Sequence, residues 1–501
     1  MKHKHSLLLA ALALLLMIPA QAAVAAVFTV SKTADTADGT CDDDCSLREA
    51  VIAANANDGF DAILLEQGAY RLTLAGAGED LGATGDLDIR DELTIVGNDG
   101  AASTFIEGSF DNPGSGWNDR VIDVLAGGHL ELQGVTVRYG RTAGQPGGAG
   151  IRVAGELHLS RSVVSFNSAA GSTGGGIYIE GQDAVANVVQ STIHGNQAGS
   201  GGGAYVASTA GAGGTLDLTN STVANNAATA GSGGGLYFGE NAGGAVSNST
   251  ISRNSSTQKG GGIFKESAPF TAIASPVLRN TILAGNLAPA ADWDCSGPVD
   301  SAGHNLLGDG TACIDFGPGK GDLEGTAASR LDPKLSSLTE LGGPTPTLGL
   351  LAGSPALNQG EDCEAEDQRG ADRPAACDIG AFEVTSQCVS GGATLCLNDG
   401  RFQVQATWQT NQSNGTAKGV QLTDESGYLW FFDPANIELT IKVLDACSLN
   451  SRYWVFVSGL TDVGVQLTVT DTRTGAVKTY NNPNKKTFAP TLDTNAFDTC
   501  P

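Results

Sequence analysis

The fold is decided by a repeated stretch between Gly147 and Asn286, of which one copy reads Gly174-Gly175-Gly176-Ile177-Tyr178-Ile179. This phrase is a glycine cluster followed by a short apolar run. It alternates with a second phrase, such as Ser191-Thr192-Ile193 leading to Asn196, in which a β-branched run ends on asparagine. The alternation has a period of about 28–30 residues, and periods in this range are typical of stacked repeat arrays.

The residue types in the two phrases indicate which kind of repeat array the chain forms. Copies of the glycine phrase occur at Gly147–Ile151, Gly174–Ile179, Gly201–Val206, Gly233–Phe238 and Gly260–Phe264. Glycine triplets and Ser-Thr-Ile runs are poor helix formers, which excludes helical repeats. Short β-branched or aromatic runs bounded by Gly, Asn and Ser predict strands. The period is too short for a propeller blade of about 40–45 residues and fits one coil of a solenoid.

Asparagine recurs once per coil, where the chain is expected to turn a corner. Asn tolerates left-handed backbone and hydrogen-bonds to neighbouring backbone groups. The repeated positions predict an amide ladder inside the corners, made of Asn167, Asn196, Asn226, Asn254 and Asn286. One coil cannot bury its apolar face alone, whereas stacked coils share a continuous core. We therefore predict an all-β chain whose main part is a parallel β-helix.

Both phrases also resemble known repeats. They are similar to the GGA[ILV] and FxxN repeats of polymorphic outer-membrane proteins, and of right-handed β-helix proteins generally. This resemblance implies a right-handed, pectate-lyase-like solenoid. It bears on the fold much more than on the function, because one repeat type serves many activities.

A short helix is expected to cover the N-terminal end of the solenoid. In Cys45-Ser46-Leu47-Arg48-Glu49-Ala50, Ser46 and Glu49 have the spacing of a capping box, which predicts that a helix starts here. An uncovered solenoid end would expose strand edges and apolar core, so a cap is physically required. The hexapeptide resembles the CSLREA domain found at the N-terminus of secreted bacterial β-helix proteins.

The end of the solenoid is expected near Val384. Between Leu331 and Pro355 the chain is rich in Pro and Gly, which predicts loops over the C-terminal end of the solenoid. Asp367–Gly370, Arg373-Pro374 and Asp378–Glu383 resemble the closing segment of choice-of-anchor Q proteins. Residues 26–384 are therefore predicted to form the β-helix with its cap and closing loops.

Residues 388–501 differ in composition and predict a second domain. The glycine triplets stop, and alternating runs such as Phe402–Trp408 and Ile437–Val443 read as half-buried strands. About seven such strands predict a small β-sandwich. This domain could serve as a binding or anchoring module.

The N-terminus predicts export. Residues 1–25 read as a cleaved signal peptide, with basic residues at Lys2–His5 and an apolar stretch at Leu7–Ile18 that is too short to span a bilayer. The formal net charge of −26 disfavours nucleic acid as a partner. We expect a monomer that does not span a membrane, is secreted or displayed on a bacterial surface, and binds polysaccharide or a cell-surface protein.

The ten cysteines are even in number and form no CxxC, which predicts disulfides in an exported chain. Local pairs are expected for Cys41 with Cys45, Cys295 with Cys313, and Cys363 with Cys377. The last four can pair in three ways among themselves: Cys388, Cys396, Cys447 and Cys500. A zinc site is disfavoured because the ligand spacings do not fit.

Candidate chemistry is sparse along the repeat. The densest charged group is Asp119, Arg120 and Asp123 beside Trp117, with Arg138 about one coil further on, so Asp119, Asp123 and Arg138 are the candidate catalytic residues. The competing interpretation is a loop with ordinary surface ion pairs. No cofactor is expected. The acidic loop Asp42–Asp44 is a candidate calcium ligand set, although such loops are usually only hydrated.

Two functions from different classes follow. The leading hypothesis is an exported, non-enzymatic β-helix protein in adhesion or in surface or glycan interaction, because structural residues occupy every regular position. The alternative is a polysaccharide lyase or glycoside hydrolase acting on an acidic glycan. Lyases need a base beside acidic groups, and hydrolases need paired carboxylates in one groove.

Overall fold

The computed structural model describes most of the chain from Ala25 onward. The described residues are 25–108, 117–144, 147–209, 212–267, 274–289, 293–313, 316, 318–351, 353–385, 388–472, 474 and 476–500. The predicted signal peptide, apart from Ala25, lies outside the described residues.

Three parallel sheets run the length of a solenoid, and a typical coil adds one strand to each of them. The first sheet stacks Val27–Thr29, Asp61–Leu65, Glu92–Gly97, His129–Gln133, Glu156–Ser160, Val185–Val189, Thr215–Thr219, Gly244–Ser247, Pro276–Arg279 and Asp300–Gly303. The second stacks Leu87–Ile89, Ile122–Val124, Ile151–Val153, Ile177–Ile179, Ala204–Val206, Leu236–Phe238, Ile263–Lys265 and Cys295–Ser296. The third stacks Gly68–Arg71, Thr104–Glu107, Thr136–Arg138, Val163–Ser165, Thr192–His194, Thr222–Ala224, Thr250–Ser252, Ile282–Leu283, Leu306–Leu307 and Leu323–Glu324. The all-β solenoid is therefore confirmed.

Smaller elements fill the corners. A parallel four-stranded sheet stacks Ser168–Thr173, Gln197–Ser200, Ala227–Ala228 and Ser255–Ser256. Antiparallel pairs join Ser208–Thr209 to Ala212–Gly213 and Leu335–Thr339 to Thr347–Leu350, and a 3-10 turn spans Pro318–Lys320.

The core consists of like residues stacked in register. On the first sheet, Leu159, Val188, Leu218, Val246 and Leu278 follow one another from coil to coil, each at most 1% exposed. Burying each such side chain contributes roughly 1.5–3 kcal/mol. Because every coil repeats the pattern, the apolar stack is continuous and each coil is stabilised by its two neighbours.

The structure brings the five predicted asparagines together in a buried ladder. Each Nδ2 donates to the Oδ1 of the asparagine one coil on, at 3.0 Å, from Asn167 as far as Asn286. Each Oδ1 after the first also accepts the backbone N–H of the preceding asparagine at 3.0 Å. The last amide donates to Asp294 Oδ1 at 2.9 Å. A carboxylate therefore accepts the final hydrogen bond of the ladder, a residue that the repeat pattern does not reveal.

Asp294 is expected to make stability depend on pH. Burial raises the pKa of Asp294 to about 6, although three N–H groups donate to its carboxylate. The folded chain then keeps a proton that the unfolded chain releases near pH 4, so this group's contribution to stability falls as pH rises from about 4 to 6. Asp294→Asn cannot titrate. The free energy of unfolding of the wild type minus that of the variant should fall by roughly 2 kcal/mol between pH 4 and 7. Urea unfolding at each pH checks this, and a constant difference would contradict it.

The N-terminal cap is a helix over Leu47–Ala54. Ser46 Oγ accepts the backbone N–H of Glu49, and the Glu49 carboxylate accepts the backbone N–H of Ser46, so both halves of the capping box are present. Ala50 and Val51 are fully buried against the solenoid core. None of the described helices is long and apolar enough to cross a membrane.

The segment after Leu341 does not lie only over the C-terminal end of the solenoid, where the sequence predicts it. It packs along the outer face of the third sheet and is not confined to the C-terminal end of the solenoid. Gln368, fully buried, donates to Thr192 Oγ1 at 2.9 Å and accepts from Thr222 Oγ1 at 2.6 Å. Ala381 N donates to Thr250 Oγ1 at 3.0 Å. A row of threonines on consecutive coils supplies these hydrogen bonds, and this row holds the segment to the side of the solenoid.

The C-terminal part is a β-sandwich, as predicted, with more strands than expected. One antiparallel sheet contains Leu395–Leu397, Phe402–Gln409, Asn414–Thr416, Gly464–Asp471 and Ala476–Asn482. The other contains Lys418–Thr423, Ser426–Trp430, Leu439–Ala446, Arg452–Gly459 and Thr491–Phe497, and a short helix covers Cys447–Asn450. Their inner faces share one apolar core, which includes Phe402, Leu467, Ile441 and Val455. Two of the ten strands, Leu395–Leu397 and Asn414–Thr416, have only three residues, which is too few to show alternation.

Disulfide bonding is confirmed. The pairs are Cys41–Cys45, Cys295–Cys313, Cys363–Cys377, Cys388–Cys396 and Cys447–Cys500. The last two resolve the pairing that the sequence left open. Five disulfides are typical of proteins that fold in an oxidising, extracytoplasmic environment.

Candidate functional site

The second sheet carries one aligned row of side chains on its outer face. The central residues of its strands pair in register from coil to coil and form what we call the outer row, namely Asp88, Asp123, Arg152, Tyr178, Tyr205, Tyr237 and Phe264. Its first members are charged, and its last four are aromatic. We call Tyr178, Tyr205, Tyr237 and Phe264 the aromatic row.

The glycine phrase explains why these residues align. Gly174 has φ +65°, which turns the chain into the strand, and a Cβ on Gly175 would lie 2.5 Å from the carbonyl oxygen of Gln197 in the next coil. The turn therefore starts each three-residue strand at the same height. Within the strand Ile177 and Ile179 point inward and are fully buried, so Tyr178 between them points outward.

The aromatic row is a continuous stack of rings. The centroids of Tyr178 and Tyr205 are 5.7 Å apart, those of Tyr205 and Tyr237 are 4.2 Å apart, and those of Tyr237 and Phe264 are 5.0 Å apart. The rings of the middle pair are nearly parallel, at 10°, whereas the outer pairs are tilted by 34° and 41°. Because neighbouring rings cover part of each other's faces, Tyr178, Tyr205 and Phe264 are only half-buried at their edges and Tyr237 is 8% exposed.

Carboxylates line this stack. Tyr237 Oη donates to Glu266 Oε1 at 2.5 Å, and Arg152 donates to Glu180 Oε1 at 2.7 Å through Nε. Burial and the Glu266 carboxylate hold the pKa of Tyr237 well above its ordinary value, and burial with Glu180 does the same for Tyr178. The phenols therefore stay protonated, and the surface combines hydroxyl donors with carboxylate acceptors.

A group of buried aspartates lies at the N-terminal end of the outer row. The aspartate cluster comprises Asp86, Asp88, Asp119 and Asp123, each at most 3% exposed. Arg120 Nη1 donates to Asp123 Oδ2 at 2.5 Å and lies 3.5 Å from Asp86 Oδ2. Arg152 Nη1 donates to Asp123 from the next coil, at 2.8 Å.

The electrostatics of the aspartate cluster are unfavourable for four ionised carboxylates. Burial and then the charges of Asp119 and Asp88 raise the pKa of Asp86 well above its ordinary range. Burial also raises the pKa of Asp88 to about 7. Among the described residues, carboxylate oxygens of Asp86, Asp88 and Asp123 lie within 4.8 Å of one another, close enough to share a metal ion.

The candidate residues from the sequence are thus only partly brought together. Asp119 and Asp123 both belong to the aspartate cluster, but they are buried. Arg138 is not beside them: it lies on the third sheet, where it pairs with Glu107 and covers the ring of Phe105 at 3.9 Å. The carboxylates of the acidic loop Asp42–Asp44 are not among the described groups that lie close enough together to share a metal ion, and Lys32 Nζ donates to Asp44 Oδ2 at 2.8 Å.

The sequence interpretation missed Asp86, Asp88 and the aromatic row. A usable signal existed for the tyrosines, because Tyr178, Tyr205 and Tyr237 occupy the same position after successive glycine triplets. For the aspartates the signal was weaker: Asp88 and Asp123 each lie between two apolar residues, in Leu87-Asp88-Ile89 and Ile122-Asp123-Val124, but the first coils lack the glycine phrase that marks the register.

Comparison with known proteins identifies the class. The model of the right-handed beta helix region matches residues 120–288, which covers most of the outer row and the whole asparagine ladder. This match gives the hand of the solenoid. No curated protein and no solved structure matches the chain. The chain therefore contains a right-handed β-helix region, and most of the outer row lies on the surface of that region.

Proposed function

We propose that this chain is an exported β-helix protein that binds a neutral polysaccharide along the aromatic row, as a surface or adhesion protein and not as an enzyme. The observation that carries the proposal is the in-register row Tyr178, Tyr205, Tyr237 and Phe264 with Glu180 and Glu266 beside it. With it we propose a signal peptide at residues 1–25, a β-helix domain at 26–384 and a sandwich domain at 388–501.

The row suits an extended polymer. Its members repeat once per coil, about 4.8 Å apart along the solenoid axis. The row therefore presents aromatic side chains at regular intervals along one line, as a repeating polymer requires. The hydroxyls of the half-buried Tyr178 and Tyr205 and the flanking carboxylates can hydrogen-bond to sugar hydroxyls, while ring edges contact the apolar C–H groups of the sugar. A small ligand would instead need a concave pocket. Two clefts of the structure, lined by Arg253 with Lys334 and by Arg161 with Arg369, lie away from this row.

The charge of the surface favours a neutral glycan over an acidic one. Glu180 and Glu266 flank the aromatic row, and Arg152 is already paired with Glu180 and Asp123. An acidic polysaccharide would be repelled by these carboxylates and by the net charge of −26.

Tyr205→Ala is expected to weaken binding of the recognised polysaccharide by about tenfold or more, since truncation of a central interface tyrosine typically costs more than 1 kcal/mol. Tyr205→Phe keeps the ring stack and removes one hydroxyl, so a smaller loss of about two- to tenfold is expected. Isothermal titration with a panel of neutral and acidic polysaccharides measures both. Phe166→Ala is the matched control, because Phe166 is 48% exposed and lies off the second sheet. Equal binding by Tyr205→Ala and wild type would reject the proposal.

A lyase or hydrolase is the second candidate function. It is favoured by two carboxyl groups in unlike environments, Asp88 with its pKa raised to about 7 and Asp123 paired with two arginines. Such differences are common at acid–base sites. Both groups are at most 2% exposed, so a substrate could touch neither without rearrangement of the residues around them. Reducing-end and unsaturated-product assays on the same panel test this function, and product release would replace the binding-only proposal.

A further inference from the structure

The aspartate cluster joins the two coils that supply the first two strands of the second sheet, called the first and second coils below, at a point that the proposed glycan surface does not use. Asp88 lies in the strand Leu87–Ile89, and Asp86 comes directly before that strand. Asp123 lies in the neighbouring strand Ile122–Val124, and Asp119 comes shortly before it. Each carboxylate is almost completely withdrawn from water. Burying four carboxylates so close together is costly unless positive charge compensates them.

The positive charge within the described residues is insufficient. Arg120 faces Asp86 and Asp123, and Arg152 faces Asp123 but shares its charge with Glu180. Arg48 also comes close, yet its guanidinium pairs with Asp35 and otherwise donates to backbone carbonyls. Two guanidinium groups against four carboxylates leave an excess of two negative charges.

One carboxylate oxygen of the cluster has no hydrogen-bond partner among the described residues. Asp88 Oδ2 accepts the backbone N–H of Gly82 at 2.7 Å, but Asp88 Oδ1 is buried with no partner in the part of the chain that the structure describes. The Asp119 carboxylate is better satisfied, because its Oδ1 accepts the backbone N–H of Arg120 and the backbone N–H of Asp86 also lies beside it. Asp88 is fully buried, so Asp88 Oδ1 cannot hydrogen-bond to bulk water.

Protonation alone does not account for this geometry. A protonated carboxyl group must donate its hydrogen to an acceptor, and an unpartnered Asp88 Oδ1 has none among the described neighbours. A cation bound between the carboxylates would satisfy the free oxygen and cancel the excess negative charge together. Carboxylate oxygens of Asp86, Asp88 and Asp123 that lie within 4.8 Å of one another fit this, since two oxygens bound to one calcium ion at about 2.3–2.6 Å lie within about 5 Å.

We propose that Asp86, Asp88 and Asp123 bind one calcium ion, with Asp119 adding negative charge beside them, and that this ion ties the first coil to the second. The donor set contains only oxygen, which excludes a preference for zinc or other soft metals. Calcium is favoured over magnesium because it tolerates irregular geometry and takes several protein carboxylates, whereas magnesium keeps much of its water.

The site would order the loop that precedes it. Gly82 is held by Asp88, and the carbonyl groups of Gly82, Gly85 and Asp86 accept hydrogen bonds from Arg48 of the capping helix. A Cβ on Gly85 would come within 2.3 Å of Asp119 Oδ2, so this loop and the second coil are in close contact. The bound ion would thus fix the cap, the loop and the two coils as one unit.

Calcium binding to the purified full chain, stripped with EDTA and titrated with CaCl2 by calorimetry, tests the site directly. One ion per chain is expected, together with a rise in the unfolding temperature that magnesium reproduces only weakly. Asp88→Asn should reduce the calcium affinity at least about tenfold and abolish the temperature rise. Asp43→Asn, in the exposed acidic loop, is the matched control and should bind calcium like the wild type. No binding by the wild type at millimolar calcium, or unchanged binding by Asp88→Asn, would overturn the proposal.

A second measurement locates the ion even if Asp88→Asn fails to fold. Trp117 is 5% exposed and its Nε1 donates to Asp119 O at 3.0 Å, so its indole lies next to the cluster. Tb³⁺, which occupies calcium sites and emits when a nearby indole is excited, should luminesce in the wild type. Trp117→Phe should lose most of this emission while keeping calcium affinity. Full emission from Trp117→Phe would place the ion elsewhere and reject the site. Neither experiment uses carbohydrate, and Tyr205→Ala should bind calcium normally, so the two proposals can fail separately.

Discussion

Replacing Asn226 by alanine is expected to lower the free energy of unfolding of the β-helix by roughly 3–5 kcal/mol. Asn226 lies in the middle of the ladder and is 1% exposed. Its Oδ1 accepts both the backbone N–H and the Nδ2 of Asn196, and its Nδ2 donates to Asn254 Oδ1 and to the carbonyl of Ile193. Alanine removes all four hydrogen bonds. It leaves the N–H of Asn196 buried without an acceptor, and such orphaned groups cost about 1–3 kcal/mol each.

The effect should be specific to the ladder position. Asn225 is the neighbouring residue, exposed and in left-handed backbone at φ +57°, so Asn225→Gly keeps the conformation and should change stability by less than about 0.5 kcal/mol. Urea unfolding followed by circular dichroism compares the two variants with the wild type. If Asn226→Ala unfolds with the wild-type midpoint, the ladder contributes little to stability.

Replacing Arg48 by alanine is expected to destabilise the N-terminal cap by about 3–5 kcal/mol, because it breaks a buried ion pair on one side only. Arg48 is 1% exposed. Its guanidinium bonds to Asp35 at 2.7 Å and donates to three carbonyl groups of the Gly82–Asp86 loop at 2.7–3.0 Å. The variant would leave the Asp35 carboxylate buried with only the N–H groups of Thr73 and Leu74 as donors.

Arg48→Lys separates charge from geometry. Lysine keeps the positive charge but cannot reach the carboxylate and the three carbonyls at once, so an intermediate loss is expected. Arg90→Ala, at an exposed position, is the control and should stay within about 0.5 kcal/mol of the wild type. Hydrogen exchange of the Leu47–Ala54 helix and the thermal unfolding midpoint measure the effect. Unchanged protection of the helix in Arg48→Ala would mean that the cap is held by apolar packing alone.

Features with a local or periodic signal could be predicted from the sequence. The solenoid follows from glycine and asparagine phrases that recur at one period, because each coil repeats the same turns and the same inward residues. The capping box of Ser46 and Glu49 needs only a spacing of three residues. The disulfides between Cys41 and Cys45 and between Cys363 and Cys377 are likewise short-range.

Features that depend on the register between distant coils could not be predicted. Asp123 and Arg138 are close in sequence, but half a coil separates them, so one lies on the second sheet and the other on the third. Gln368 contacts Thr192 across 176 residues, and nothing in a Pro-rich segment tells which face it will cover. The excursion between Arg71 and Leu87 breaks the period, which hid the meeting of Asp86 and Asp88 with Asp123.

The sequence by itself determined that this chain is a β-helix, since its backbone turns and inward residues recur with one period and each recurrence can be read locally. Only the tertiary structure decided which outward residues share a surface. Stacking brings residues of successive coils to about 4.8 Å from each other, so the aromatic row and the aspartate cluster arise from the register of coils of unequal length.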